Sequence, residues 1–341
     1  MVMNMVSHTS ISIYHVGEAK AHSSPTFSDI FSLLSKMNFI HEQKKKYLIP
    51  NYDSVQQTWN HLLSCPDNLA HHTMIVSDTE ATAICSSWRA SKECWIIQNG
   101  IASNIRDYIN TLVLESSFLL KQPALHFVQA WFNPENRIVN KMCGKGTLLY
   151  EQNGTYEEST LFLHWEPTIS LCDETYHIDS LESICRTAFQ DFIIENRSWL
   201  FYESGDFSGD PYLKDINTVF MSHGLFRHRF IDVVHSISGI DAIIISYFSS
   251  PGISFSFLEN CTEIIVNKNI ELSSGLFSAI SEVIRNRTES WTAPKPIITD
   301  RRTGTALIQY YGATLIRKYS RRIWTKEAYG FLYDYILAKY C

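Results

Sequence analysis

No run in this chain approaches the ~20 consecutive apolar residues that a membrane-spanning helix needs; the apolar stretch 241–248 is far too short. A secretory leader is lacking as well. Such a leader starts basic, continues through roughly 7 to 15 apolar residues and ends at a small-residue cleavage site, and Met1 to Tyr14 offers none of these. Paired cysteines are missing: Cys65, Cys85, Cys94, Cys143, Cys172, Cys185, Cys261 and Cys341 are scattered, with no C-x-x-C and no local Cys/His ligand spacing. That excludes a zinc-finger pattern and points to reduced, mostly buried thiols in a soluble, cytoplasmic protein without disulfides. An excess of positive charge is absent too. Lys and Arg total 29 against 35 Asp and Glu, a net charge of -6, so the overall field does not favour a phosphate backbone and nucleic acid is not the expected partner.

What is present is core material. Hydrophobic residues make up 45% of the chain and charged residues 19%, too apolar a balance for disorder. A length of 341 residues suits two domains. The first 25 residues carry one short alternating run, 11–14, readable as an edge strand or a loose arm. Helical spacing follows at 27–37 and again at 53–63, after Pro50. The period then shortens: 72–77, 81–90 and 93–99 read as a strand meander ending at Asn99-Gly100. Ser103 or Asn104 caps a helix reaching about Leu120. The almost wholly apolar run 124–132 has the mark of a strand buried on both faces. A short helix over 135–143 and a hairpin of strands, 147–152 and 159–165, complete this half.

The polar segment 166–174 is the expected linker, which divides the chain into domains 1–170 and 171–341. Beyond it the order repeats. Helices are expected at 181–195 and 211–221, strands at 228–237, 241–249 and 253–266, and a helix at 272–286. A buried strand at 296–299, a helix at 303–311 and a strand at 315–324 follow, and an amphipathic helix at 326–340 closes the chain.

Helix pair, meander, helix, buried strand, helix and final strand pair is the element order of the GNAT N-acetyltransferase fold, and the chain resembles two such domains in tandem. The resemblance implies an α/β (α+β) class in which each half has a mixed, mostly antiparallel sheet flanked by helices. Its most specific local match is Phe132-Asn133-Pro134-Glu135-Asn136-Arg137-Ile138-Val139, similar to the segment where the fifth strand of these enzymes ends beside the acyl-CoA arm. By that match Asn133 or Asn136 opens the helix at the cofactor. In the second half 305–310 is similar to the same helix, and Tyr310 falls where a general acid often stands. The pyrophosphate turn of the family corresponds to Gln98, Asn99, Gly100, Ile101, Ala102 and Ser103 in the first half and to Leu272, Ser273, Ser274 and Gly275 in the second. Neither has the family's Arg/Gln-x-x-Gly-x-Gly/Ala spacing. The first half keeps an amide, a Gly and a capped helix, so acetyl-CoA or another acyl-CoA is expected there.

The resemblance implies transfer of an acetyl or longer acyl group to a small-molecule or peptide amine. The alternative is a degenerate GNAT-like ligand-binding or regulatory module. Each candidate also has a structural reading. Residues 98–103, Asn133 and Asn136 suit strand ends and helix caps, Tyr310 suits an amphipathic core position, and Cys143 suits a buried hydrophobe. Glu93, Glu259 and Glu263 are candidate bases that read equally as solvated strand charges. Adjacent His71 and His72 point to opposite faces of a strand, and the basic run Arg317, Lys318, Arg321 and Arg322 reads as a solvated sheet edge.

Overall fold

The computed structural model describes residues 3–8, 11–16, 26–77, 80–140, 154–167, 175–289 and 295–340. The expected strand 147–152 and most of the linker lie outside these segments, as does Cys143. In chain order the first half comprises β1 (Met3–His8), β2 (Ile11–Val16), α1 (Phe27–Lys36), α2 (Glu42–Leu48) and α3 (Tyr52–Leu63). It continues with β3 (Ala70–Ser77), β4 (Glu80–Arg89), β5 (Cys94–Ala102), α4 (Ile105–Leu120), β6 (Phe127–Phe132), α5 (Arg137–Val139) and β7 (Thr155–Trp165). Then follow β8 (His177–Ser180), α6 (Arg186–Asn196), α7 (Trp199–Ser204), α8 (Lys214–Ser222), β9 (Arg227–Ser236), β10 (Gly239–Ser249) and β11 (Thr262–Val266). The chain ends with α9 (Ser274–Arg287), β12 (Lys295–Thr299), α10 (Arg301–Tyr311), β13 (Thr314–Thr325) and α11 (Lys326–Tyr340).

The thirteen strands form one sheet, ordered β1-β2-β3-β4-β5-β6-β13-β7-β12-β11-β10-β9-β8. The class is mixed α/β, with helices flanking a mostly antiparallel sheet; parallel pairing occurs at β2/β3, β5/β6 and β11/β12. The meander β3-β4-β5 and its parallel neighbour β6 are matched in reverse spatial order by β9-β10-β11 and β12. At the centre the halves exchange strands. β13, late in the chain, lies between β6 and β7, and β7 lies between β13 and β12.

The second half also reaches across the first through the 250–261 loop. Trp59 of α3 is fully buried, stacks on Phe255 at 4.8 Å and donates from Nε1 to the Gly252 carbonyl at 2.9 Å. Gly252 has φ +71, and a Cβ there would meet Val55 at 2.7 Å, so only glycine allows this approach. The expected strand 253–266 is therefore loop up to Cys261 and strand only from Thr262. Ile253 and Phe255 of that loop join the core that holds Trp59 of the first half.

The helix expected at 181–195 is split into a 3-10 turn, Leu181–Ser183, and α6. The short strand β8 precedes that turn. α2 was not legible as a helix because its sequence, Glu-Gln-Lys-Lys-Lys-Tyr-Leu, carries three adjacent lysines. No helix among the described residues is long and apolar enough to cross a membrane.

Candidate functional site

The parallel strands β5 and β6 are paired from Cys94 opposite Phe127 to Ile97 opposite Ala130. There they part. β5 continues along β4 to Ala102, whereas Trp131 and Phe132 of β6 stay with β13. Between them opens a cleft of about 300 Å³, walled by Tyr108, Leu112 and Ser116 of α4 and by Tyr329, Leu332 and Ile336 of α11. This volume is at the small end of ligand pockets.

A β-bulge shapes one side. Ser86 pairs with Gln98 and Ile84 with Ile101, so Asn99 and Gly100 together oppose Cys85. Asn99 adopts φ 55, the left-handed region that Asn tolerates better than most residues. Its side chain is 4% exposed, lines the cleft, and neither amide atom has a hydrogen-bond partner among the described residues. Gln98 is similar: Oε1 accepts from Ser254 Oγ at 2.5 Å, while Nε2 has no partner. Buried amides are normally satisfied, and each that is not costs about 1–3 kcal/mol.

α4 is anchored by Glu115, which is fully buried. Its carboxylate accepts from Thr73 Oγ1 at 2.7 Å and from the Ser87 hydroxyl, and lies 2.9 Å from His71 Nδ1. These bonds tie the helix to β3 and β4 and so set where Tyr108, Thr111 and Ser116 face the cleft. On the α11 side, the Tyr329 hydroxyl and Ser116 Oγ are 2.7 Å apart.

Of the residues expected at a pyrophosphate turn, Gln98, Asn99, Gly100 and Ile101 line the cleft, whereas Ala102 and Ser103 do not. The strand does not end at Asn99-Gly100 as the sequence suggests; the bulge absorbs that pair and pairing resumes to Ala102. The turn into α4 is Ser103-Asn104, where Asn104 Oδ1 accepts from the Asp107 amide at 2.9 Å. Asn133 and Asn136 also line the cleft, and both serve the chain locally: Asn133 Oδ1 accepts from the Glu135 amide at 2.9 Å and Asn136 Oδ1 from the Val139 amide at 3.3 Å.

In the second half the corresponding strands β11 and β12 are bridged at the end of their pairing. Thr299 Oγ1 donates to the Ile264 carbonyl at 2.9 Å across β11 and β12. Arg302 of α10 donates to the carbonyls of Asn267, Lys268 and Ile270. Ser273 caps α9 by accepting from the Leu276 amide at 3.1 Å. Tyr310 is 75% exposed and absent from the cleft lining; α10 packs through Tyr311, whose ring lies 4.5 Å from that of Phe277.

Among the described residues, no Asp, Glu or His lines the cleft. Glu93 lies at the surface, 2.8 Å from His126 Nδ1. Glu259 and Glu263 are not solvated: Arg227 Nε donates to Glu259 at 2.6 Å, and Arg321 grips Glu263 and Glu158 with Arg197 beside them. Arg321 and Arg322 are likewise buried, because β13 is a central strand and not an edge. The sequence shows only that the run is basic; the carboxylates that pair with Arg321 are 58 and 163 residues away. His71 stacks on Phe118 of α4 at 3.6 Å, while His72 sits 5.5 Å from the Trp59 ring on the other face. No group of His, Cys, Asp and Glu among the described residues is arranged to hold a metal ion.

No protein-family model matches the chain, and no curated protein matches it. It is similar to a tandem GNAT protein from the clavulanic acid biosynthesis pathway, with 6% identity over 79% of this chain and 87% of that one and a TM-score of 0.40. It is also similar to a GCN5-related N-acetyltransferase from Kribbella flavida, with 9% identity, 80% and 94% coverage and a TM-score of 0.40. A GCN5-related N-acetyltransferase from Sphaerobacter thermophilus gives 11% identity, 73% and 78% coverage and a TM-score of 0.38.

Proposed function

We infer that the cleft between β5 and β6 takes the acyl-pantetheine end of an acyl-CoA, and that the protein transfers an acetyl or longer acyl group from it to an amine. One observation carries the reading: the amides of Asn99 and Gln98 are buried at the mouth of a strand splay with donor and acceptor atoms unspent. A pantetheine arm carries two amides and a pantoyl hydroxyl on a largely aliphatic chain. It supplies the complementary donors and acceptors, and an aliphatic body for the walls of Ile97, Leu112 and Leu332. The resemblance of 132–139 to the strand end beside the cofactor supports the same placement.

Attack of a neutral amine on the thioester gives a tetrahedral oxyanion, which donors such as Gln98 Nε2 and Asn99 Nδ2 stabilise where they stand. Positioning supplies the rest. Since the lining carries no carboxylate or imidazole among the described residues, the amine's proton leaves through solvent, and the hydroxyls of Tyr108, Tyr319 and Tyr329 are lining groups able to protonate the thiolate. The same lack favours the second reading, a binding module that retains the arm without turning it over.

Calorimetry with acetyl-CoA, followed by a turnover assay on an amine panel, separates the two. Gly100→Val is the site variant. A Cβ at Gly100 would find only ordinary contacts, Tyr108 at 3.7 Å and Cys85 Sγ at 3.9 Å, so valine folds and its methyl groups enter the cleft. Gly330→Val is the control, since a Cβ there meets nothing within 4 Å. Expected is at least a tenfold loss of acetyl-CoA affinity in the first variant and none in the second. Equal affinity in all three proteins rejects the cleft; binding without turnover selects the binding module.

A further inference from the structure

The cleft also carries charge that the acyl-pantetheine does not use. Arg317 lines it from β13, aimed there by a bulge at Ile316: Leu315 pairs with Leu163 and Arg317 with the adjacent Phe162, leaving one extra residue between them. Bulges re-aim side chains in this way. Behind it stands Lys44 of α2, 4% exposed, with Nζ 3.2 Å from Ser256 Oγ and 3.8 Å from the centre of the Phe39 ring. Ser256, Phe39 and Tyr319 line the cleft themselves. No ion pair joins Lys44 or Arg317 to a carboxylate among the described residues.

A buried ammonium without a counter-ion is costly, and here a second cation faces it. Its ordinary pKa is pulled down to about 7, first by burial and then by Arg317. His41 is driven down to about 4 by burial, Lys44 and Arg317, so it is neutral at pH 7 and supplies no counter-charge. Burial raises the Tyr319 phenol, which likewise stays neutral. Arg317 is half-buried and, with Ser256, hydrogen-bonds the neutral Tyr319 phenol, so neither it nor Lys44 meets a carboxylate, whereas the buried Arg227 and Arg321 both do.

We propose that Arg317 and Ser256, backed by Lys44, form an oxyanion subsite at the acceptor end of the cleft, which takes a carboxylate or phosphate group of the ligand. The inference deepens the acyltransferase reading, and both of its sources rest on it. An acidic acceptor, an amine that also bears a carboxylate, would place its anion on Arg317 and its amine toward the thioester. The alternative source of the same chemistry is a phosphate of the acyl-CoA itself.

The test is calorimetry on the full chain with four probes: phenylacetate, its neutral amide phenylacetamide, acetyl-CoA, and phosphate-free S-acetyl-pantetheine. Arg317→Met and Lys44→Met are compared with wild type, and Arg317→Lys serves as the charge-keeping variant if methionine disturbs the strand. Phenylacetate binding that is at least tenfold tighter than phenylacetamide binding, lost in both methionine variants and kept in Arg317→Lys, supports a carboxylate acceptor. A tenfold loss for acetyl-CoA with S-acetyl-pantetheine unchanged supports the phosphate source. Wild-type affinities in both methionine variants for every probe overturn the subsite, and so does failure of wild type to prefer either anionic probe over its neutral partner. Absence of any acetyl-CoA or S-acetyl-pantetheine binding refutes the acyltransferase reading while leaving the phenylacetate comparison to decide the subsite.

Discussion

Asn99 bears two costs at once, a left-handed backbone and a buried amide with nothing to bond. Each is worth about 1–3 kcal/mol, and a residue kept under both is explained by what it binds. Asn99→Gly removes the amide and relaxes φ together, so the variant should unfold at an equal or higher temperature while losing at least tenfold in acetyl-CoA affinity. A stable variant with unchanged affinity would show that the amide has no ligand role. Tyr310→Phe should change neither stability nor binding, because the hydroxyl is solvent-facing and remote from the cleft. The residue scale also holds an acid-sensitive point. His72 is fully buried, and its pKa is pushed down to about 3, first by burial and then by the charge of His71. The unfolded chain therefore takes up the proton first. Stability from this group is complete above about pH 6.5 and declines as pH falls from there toward 3, by up to ~1.4 kcal/mol per pH unit. Urea unfolding at several pH values should show His72→Asn with a shallower slope over that window, whatever its stability at pH 7.

At the scale of elements, legibility followed periodicity. The helix expected at 326–340 is α11, whose buried residues face one core, and the run 241–249 is contained in β10, whose uninterrupted apolar run is buried on both faces. The strand expected at 315–324 is β13, but its basic run is no solvated edge: Arg321 and Arg322 are buried against Glu263 and Glu157, and burial of charge is licensed by partners distant in sequence. Asn99-Gly100 reads as a stop and is a bulge, since local composition does not show that β4 goes on offering bonds past it. The cleft was legible only in part. Gln98, Asn99, Gly100 and Ile101 stood in the expected segment, but Arg317, Ser256 and Lys44 lie on three elements that no sequence spacing relates. The buried charges of β13 also make a stability prediction. Arg321→Met strands Glu158 and Glu263 without their shared guanidinium, and breaking such a pair typically costs about 3–5 kcal/mol. A loss below 1 kcal/mol by chemical denaturation would mean that Arg197 compensates fully.

On the scale of the whole molecule, the exchange of β13 and β7 decides how the halves depend on each other. Each half alone would miss a central strand. A fragment of residues 1–167 has β6 without β13 beside it and leaves β7 with no partner on either side, while a fragment of residues 168–341 has β13 with neither neighbour and β12 without β7. Unpaired central edges carry exposed N-H and C=O groups and apolar faces, which a folded domain does not tolerate. The first fragment loses a further contact set, because the 250–261 loop covers Trp59 and donates Ser254 Oγ to Gln98. We expect neither fragment alone to give a cooperative thermal transition, and the two co-expressed to reassemble into a complex that unfolds in one step. The acyl-CoA cleft should return only with the complex, because Ser256, Leu258, Arg317 and Tyr319 of its lining come from the second fragment. Calorimetric unfolding of each fragment and of the reassembled pair provides the check. Independent cooperative folding of residues 1–167, with acetyl-CoA affinity equal to that of the full chain, would refute both the mutual dependence and the composite cleft.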